Sequence, residues 1–320
     1  MSIALRRREA LAAFAGAALL PAARRADAQT LPVVRVAYIP YEFSAQVLYA
    51  QEMDFFRKAG IAVELQPIPY SPSIAQAVAA GSIDVGLSTT TTLAIAHSKG
   101  IPFLIIAPAA EYRDAPYSNG SGFLMVGKQT TIHTGADMNG KIVGAPGLSS
   151  LGEYGVRAWV DANRGDATTL KFIELPISEM AGAFATGRID AAFVAPPFID
   201  DCLKVARELT PNEFDAVAKD FLVTAWFTSE SWAKAHSDQV VAFNNAVRDA
   251  SIWAAKNPTA CAPILAKAFK MDPADLSKTP RVQFANRLTP AILQPIVTVT
   301  ARYAKFPNFA AEALIYTPGK

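Results

Sequence analysis

Cysteine and histidine are scarce in this chain, with two and three among 320 residues. Two cysteines, Cys202 and Cys261, rule out a disulfide-stapled scaffold, and neither has a CxxC or Cys/His spacing that would hold zinc. Sequence does not report whether they meet; two unpaired, partly buried thiols are expected. The histidines (His97, His133 and His236) are far apart, and none belongs to HExxH or stands beside a nucleophile motif. There is no GxSxG, and Cys202 lies in the helix-like run 200–209 without an evident base. A spaced-glycine phosphate loop with its lysine is missing too, which argues against a nucleotide. These absences point away from an enzyme and from any bound cofactor or metal.

An excess of one charge is also lacking. The chain holds 30 Lys+Arg against 28 Asp+Glu. Arg6, Arg7, Arg8, Arg24 and Arg25, with Glu9 and Asp27, fall in the first 28 residues, which leaves 25 basic and 26 acidic residues beyond them. No basic field for nucleic acid remains. Past Gln29 no apolar run approaches the roughly 20 residues a bilayer span needs. The most apolar stretch, Ile101–Ala110, is interrupted by Pro102 and Pro108 and suits a buried strand. What is present is apolar mass: 51% hydrophobic residues and a mean hydropathy of +0.20 exclude a disordered chain.

The N-terminus reads as an export leader. Arg6-Arg7-Arg8 forms a basic start, Ala10–Ala23 an apolar stretch, and Ala26-Asp27-Ala28 fits small-x-small cleavage before Gln29. The consecutive arginines resemble a twin-arginine signal, and Sec export fits as well. The mature protein is expected in the periplasm, without stable membrane insertion and as a monomer.

An internal repeat organises the rest. Residues 75–84 read AQAVAAGSID and residues 181–190 read AGAFATGRID, six identities in ten at an offset of 106. The same offset lays Arg35-Val36-Ala37 over Lys141-Ile142-Val143 and Pro40 over Pro146. Two blocks in one register indicate two copies of a βαβ-type lobe. The first copy is expected as strand Val33–Ile39, helix Ser44–Ala59 stopped by Gly60, strand Ile61–Ile68, helix Ser73–Ala80 and strand Ile83–Leu87. The second is expected as Lys141–Ala145, Tyr154–Asn163, Thr169–Leu175, Glu179–Ala185 and Ile189–Val194. This order implies parallel pairing with right-handed crossovers. Between the copies, Glu111–Gly122 has loop composition before a strand at Phe123–Val126. Another strand is expected at Phe221–Phe227, and mostly helix from Ser231 on, returning mainly to the first lobe. The expected division is 1–28 leader, 29–121 plus 222–320 lobe 1 and 122–221 lobe 2, with two hinge crossings.

In open α/β sheets a ligand sits beyond the carboxyl ends of the strands. After the first strand, Tyr38 and Tyr41 offer aromatic walls and hydroxyls, and Ser44 a helix cap. After the third come Ser88, Thr89, Thr90, Thr91 and Thr92. One hydroxyl must cap the following helix; four consecutive threonines exceed that need and suggest a helix N-terminus facing an anion or polar head. In the second copy Pro146-Gly147-Leu148-Ser149-Ser150-Leu151 is the equivalent turn, with Gly147, Ser149, Ser150 and Leu151 as its candidates. Ala195 and Pro196 follow the last strand. Trp226 can stack on a ligand or serve as a core or hinge tryptophan. Arg113 is a candidate anion clamp or an ordinary solvated arginine.

Gly81-Ser82-Ile83-Asp84, Asp137-Met138-Asn139-Gly140-Lys141, Gly187-Arg188-Ile189-Asp190 and Trp253-Ala254-Ala255-Lys256-Asn257-Pro258 resemble the nitrate/sulfonate/taurine group of solute-binding proteins. That group includes members related to thiamine-pyrimidine synthesis proteins. The resemblance implies a two-lobed type II periplasmic binding protein fold, a small-molecule ligand in the cleft, and delivery to an ABC permease and its ATPase. Family members often carry an acidic residue before the proline that is Pro196 here. This chain has Ala195, which weakens an amine-bearing ligand. Two alternatives share the fold: a thiamine-pyrimidine synthase-like enzyme, against which the leader and scattered cysteines weigh, and a ligand-sensing module for a membrane receptor.

Overall fold

Two five-stranded sheets carry the chain, and both have the same internal plan. The computed structural model describes residues 30–113, 122–195, 198–270, 272 and 281–319. The expected export leader, Pro196 and most of the expected 111–122 loop lie outside them. The strands are β1 Val33–Tyr38, β2 Ala62–Pro67, β3 Val85–Thr89, β4 Phe103–Pro108, β5 Glu111–Arg113, β6 Phe123–Gly127, β7 Ile142–Ala145, β8 Lys171–Glu174, β9 Ala191–Val194, β10 Ala206–Glu208, β11 Asp220–Leu222 and β12 Thr224–Ser229. The α-helices are α1 Ala45–Glu52, α2 Phe55–Lys58, α3 Ser71–Ala79, α4 Thr90–Ser98, α5 Leu151–Ala162, α6 Met180–Ala185, α7 Ile199–Leu203, α8 Glu230–Ala235, α9 Ser237–Lys256, α10 Pro258–Phe269 and α11 Pro290–Ala304.

The first sheet runs β2-β1-β3-β12-β4 and the second, read from its far edge, β8-β7-β9-β6-β10. In each, the repeat supplies the parallel strands, and the chain from outside the repeat supplies an antiparallel fourth: β12 beside β3, and β6 beside β9. Central strands β3 and β9 are buried along nearly their whole length, while edge strands β2 and β8 are partly exposed. Continuous apolar runs in the middle and mixed ones at the margins follow from burial on two faces or one.

The repeated aspartates do the same work in both sheets. Asp84 accepts the Arg35 N–H at 2.8 Å and Asp190 accepts the Ile142 N–H at 2.9 Å, while each aspartate's own N–H returns to the same partner's carbonyl at 2.9 Å. The gapless offset, which lays Lys141 over Arg35, is therefore one residue out in the first strand. Gly81 and Gly187, before each aspartate, have φ of +72° and +67°, a conformation open to glycine at little cost.

Several local expectations are corrected. The helix over 44–59 is two, because Asp54 turns left-handed (φ 59°) between α1 and α2; a short polar side chain tolerates that conformation. Glu111–Arg113, expected in a loop, is a strand paired antiparallel with β11. The strand over 221–227 splits there, since Leu222 pairs with Glu111 while Thr224 pairs with Thr89. The helix-like run 200–209 ends after Leu203 and becomes β10. Both cysteines are buried free thiols, and burial pushes Cys202 up to about 11. Of the C-terminal helices, α8 and α9 pack on the first sheet's elements, whereas α11 touches both α4 and α5.

One core cluster runs from the first sheet through Tyr112, Phe214 and Phe221 into one face of the second. The other face of the second sheet has a separate core of Met125, Met180, Phe184, Ile199 and Cys202.

Candidate functional site

The carboxyl end of β3 gathers hydroxyls from three elements. Thr89 caps α4 by accepting the Thr92 N–H at 3.2 Å, and the Thr89 and Thr92 hydroxyls lie 2.9 Å apart. Ser88 meets Ser71, at the start of α3, with hydroxyl oxygens 2.5 Å apart, and the Thr89 N–H reaches the Ser71 hydroxyl at 3.4 Å. Ser71, Thr89 and Thr92 are each partly exposed. The free N–H groups of a helix start beside clustered hydroxyls suit an anionic or strongly polar group.

The threonine run divides by helical direction. Thr90, one residue further, turns away: its hydroxyl donates to the Leu222 carbonyl at 2.6 Å and tacks α4 to the strand junction at 222–224. It is structural, contrary to its assignment to ligand. Thr91 is fully buried, and its hydroxyl has no hydrogen-bond partner among the described residues.

At the end of β1, Tyr38 is almost buried, and burial raises its hydroxyl above the usual phenol range. Tyr41 is 41% exposed. Ser44 does not cap α1; its buried hydroxyl donates to the Tyr41 carbonyl at 2.9 Å and to that of Ile39, closing the turn on itself.

The second sheet's turn keeps its own donors. Ser150 caps α5 through the Glu153 N–H at 3.3 Å, and Glu153 Oε2 accepts the Ser149 N–H at 2.7 Å. This is a capping box displaced by one residue, and the Ser150-x-x-Glu153 spacing announces it. Glu153 Oε1 also takes the Arg157 Nε donor at 2.8 Å, and Glu174 reaches the Leu148 N–H at 3.4 Å. The chain's own carboxylates thus occupy amides expected to face a ligand. The anion-accepting symmetry of the two turns is broken: hydroxyls and a helix start on one side, internal carboxylates on the other. Ser149 holds φ +57°, Leu151 is buried, and a Cβ at Gly147 would meet nothing nearer than 4.0 Å. Ala195 is buried at the end of β9, its carbonyl accepting the Phe198 N–H at 3.1 Å.

Two further candidates are committed elsewhere. Arg113 pairs with the buried Glu111 carboxylate at 2.5 Å, so it is not a free anion clamp. Burial pushes the Glu111 carboxyl up, with Arg113 opposing. Trp226 is fully buried in the core against Phe243 and donates to Gln46 Oε1 at 2.7 Å. Gln46 in turn donates to Ser251 at 2.7 Å. Trp226→Phe should therefore cost about 2 kcal/mol, by leaving a buried amide oxygen unpaired. A lowered urea midpoint checks this; an unchanged midpoint would mean Gln46 finds another donor.

Sequence reasoning missed Ser71, Glu153 and Glu174. Only Glu153 had a local signal, since the other two reach the site across strand neighbours. The histidines have local structural contacts: His97 packs on Phe309, His236 stacks on Trp232, and the His133 N–H goes to Asp137. Among the described residues no group of three His, Cys, Asp or Glu is placed to hold a metal, and no helix is long and apolar enough to cross a membrane.

Twin parallel-based sheets in this strand order have the periplasmic binding protein fold, and solved structures share it. The periplasmic aliphatic sulphonate binding protein SsuA from Escherichia coli aligns with a TM-score of 0.72 at 16% identity, over 90% of this chain and 93% of that one. The periplasmic nitrate-binding protein NrtA from Synechocystis PCC 6803 aligns at 0.69 and 16% identity, over 88% and 84%. The taurine-binding periplasmic protein of Escherichia coli (strain K12) is 24% identical over 69% of this chain and 67% of its own length. Residues 43–261 match the NMT1/THI5 like family, and the chain belongs to it. The relatives named here are binding proteins.

Proposed function

We propose that this chain is the extracytoplasmic substrate-binding component of an ABC importer, capturing a small organic solute with an acidic or polar head. The observation that carries the reading is the Ser71–Ser88–Thr89–Thr92 hydroxyl cluster at the start of α4, in a fold whose ligands lie beyond strand ends. The sulphonate, nitrate and taurine named for its relatives share such a head or are one. The head docks on the first sheet; the second brings Leu148, Ser149 and Ser150 over it. Residues 29–121 with 222–320 act as one lobe and 122–221 as the other. The antiparallel β5/β11 ribbon is the hinge, because both lobe-to-lobe crossings adjoin it. The leader ends before Gln29, by twin-arginine or Sec export, and the loaded protein hands its solute to the permease and its ATPase.

A thermal-shift screen of sulfonates, aromatic acids, dicarboxylates and pyrimidines at millimolar concentration tests this. A micromolar binder should stabilise by about 4 kcal/mol. Thr89→Val combined with Thr92→Val should weaken the best compound at least ~10-fold, with a cap loss of about 1 kcal/mol in the free protein. Undiminished binding by the double variant would remove the hydroxyl cluster from the site.

A further inference from the structure

Helix α11 joins elements that the sheets keep apart. It packs against α4 and β11 on one side and α5 on the other. Its last turn grips α5 through a single carboxylate. Arg302 Nη2 lies 2.6 Å from Asp161 Oδ2, and the Tyr303 hydroxyl donates to the same oxygen at 2.8 Å. Asp161 Oδ1 is held by the Ala167 N–H at 2.9 Å. The Tyr303 ring stacks on Tyr154 of α5 at 6.0 Å and 25°.

Open space flanks this grip. A groove of about 580 Å³ separates Ala158 and Ala162 of α5 from Gln294 and Thr298 of α11. A second, of about 540 Å³, is bounded by Ile95 and Ser98 of α4, Ser149 and Arg157, and Tyr303. The contact is therefore a strut rather than a packed interface, and directional polar bonds can be made and broken there without opening a core. The second groove also sets the direction of its effect. Ser149, in the second sheet's turn, and Tyr303, in the grip, stand on its edges, with the C-terminal end of α4 on the opposite bank. A force drawing α5 toward α11 draws the Ser149 turn toward α4.

We propose that Asp161 is a detachable latch, gripped by Arg302 and Tyr303, that biases the cleft toward its closed arrangement. The inference rests on the two-lobe reading above and adds a noncovalent third connection to the two chain crossings. Asp161, Arg302 and Tyr303 are positioning residues that set affinity without touching the solute.

The experiment needs no solute. Spin labels at Val241→Cys on α9 and Leu203→Cys on α7, both exposed positions, report the distance between lobes, and the native cysteines are buried away from the reagent. Asp161→Ala is expected to shift the distance distribution to longer values and broaden it. Exchanging the charges, Asp161→Arg with Arg302→Asp, is expected to recover only part of that shift, since an arginine at 161 re-forms the ion pair but cannot accept from Tyr303 or Ala167. Should Asp161→Ala fold poorly, Arg302→Gln with Tyr303→Phe removes both donors and keeps the Asp161–Ala167 bond. Distances that vary between lobes but ignore these substitutions would overturn the latch alone. A distance that stays single and narrow with all three side chains replaced would overturn the two-lobe reading as well.

Discussion

At pH 9 the Glu213→Gln variant should unfold roughly 8 °C above the parent protein, and the two should converge near pH 4.5. Glu213 is fully buried; one oxygen accepts the Leu124 N–H at 2.7 Å and the other has no partner among the described residues. Burial pushes its carboxyl up to about 8, and Asp215 on the same turn and Glu208 on β10 add to the rise. Below pH 4.5 folded and unfolded chains both hold the proton. Between there and about pH 8 the unfolded chain releases it while the folded chain keeps it, so stability falls as pH rises. A shift of this size amounts to on the order of 4 kcal/mol. Glutamine keeps the bond to Leu124 and cannot ionise, so it removes this slope alone. Other groups titrate over the same range, which makes the difference between the two proteins the quantity to measure. Parallel melting curves from pH 4.5 to 9 would show that Glu213 is ionised in the fold at neutral pH.

Gly122→Ala should cost about 4 kcal/mol, seen as a loss of roughly 8 °C in melting temperature. Gly122 has φ +109°, where an L side chain is strained, and its carbonyl accepts the Asn212 side-chain amide at 2.9 Å. A Cβ there would stand 2.7 Å from the Phe193 ring and 2.8 Å from the Val194 carbonyl oxygen. The backbone oxygen cannot rotate aside, so relief requires moving β6 against β9. Gly147→Ala, in open space at an ordinary φ, is the control and should change stability by less than about 0.5 kcal/mol. Equal melting temperatures for both variants would refute the packing argument.

The difference between these glycines measures what was legible. Gly147 stood out in the sequence because it lies in a turn matched by the repeat; Gly122 did not, because its constraint comes from Phe193, seventy-one residues away. The threonine run tells the same story. Its composition announced a polar helix start, but the roles diverge because Thr89 caps the helix from extended backbone while Thr90 and Thr91 stand 100° apart around it. One faces the hydroxyl cluster, one the strand junction and one the interior. Trp226 looked available because its partner Gln46 lies 180 residues away, and Arg113 because its neighbour Glu111 shares a face with it only once 111–113 is a strand rather than the expected loop.

From sequence alone came the doubled strand–helix order, the recurrence of Asp84 and Asp190 in the repeat, and the family resemblance. All of these depend on near neighbours or on one segment matching another, and the chain states both directly. Tertiary structure alone decided that β5 and β11, three residues each and more than a hundred apart, form a ribbon, that α11 crosses to α5, and that Glu174 reaches the Leu148 amide. The physical reason is that these contacts are short-range in space and long-range along the chain, so their stabilisation exists only after both sheets have assembled.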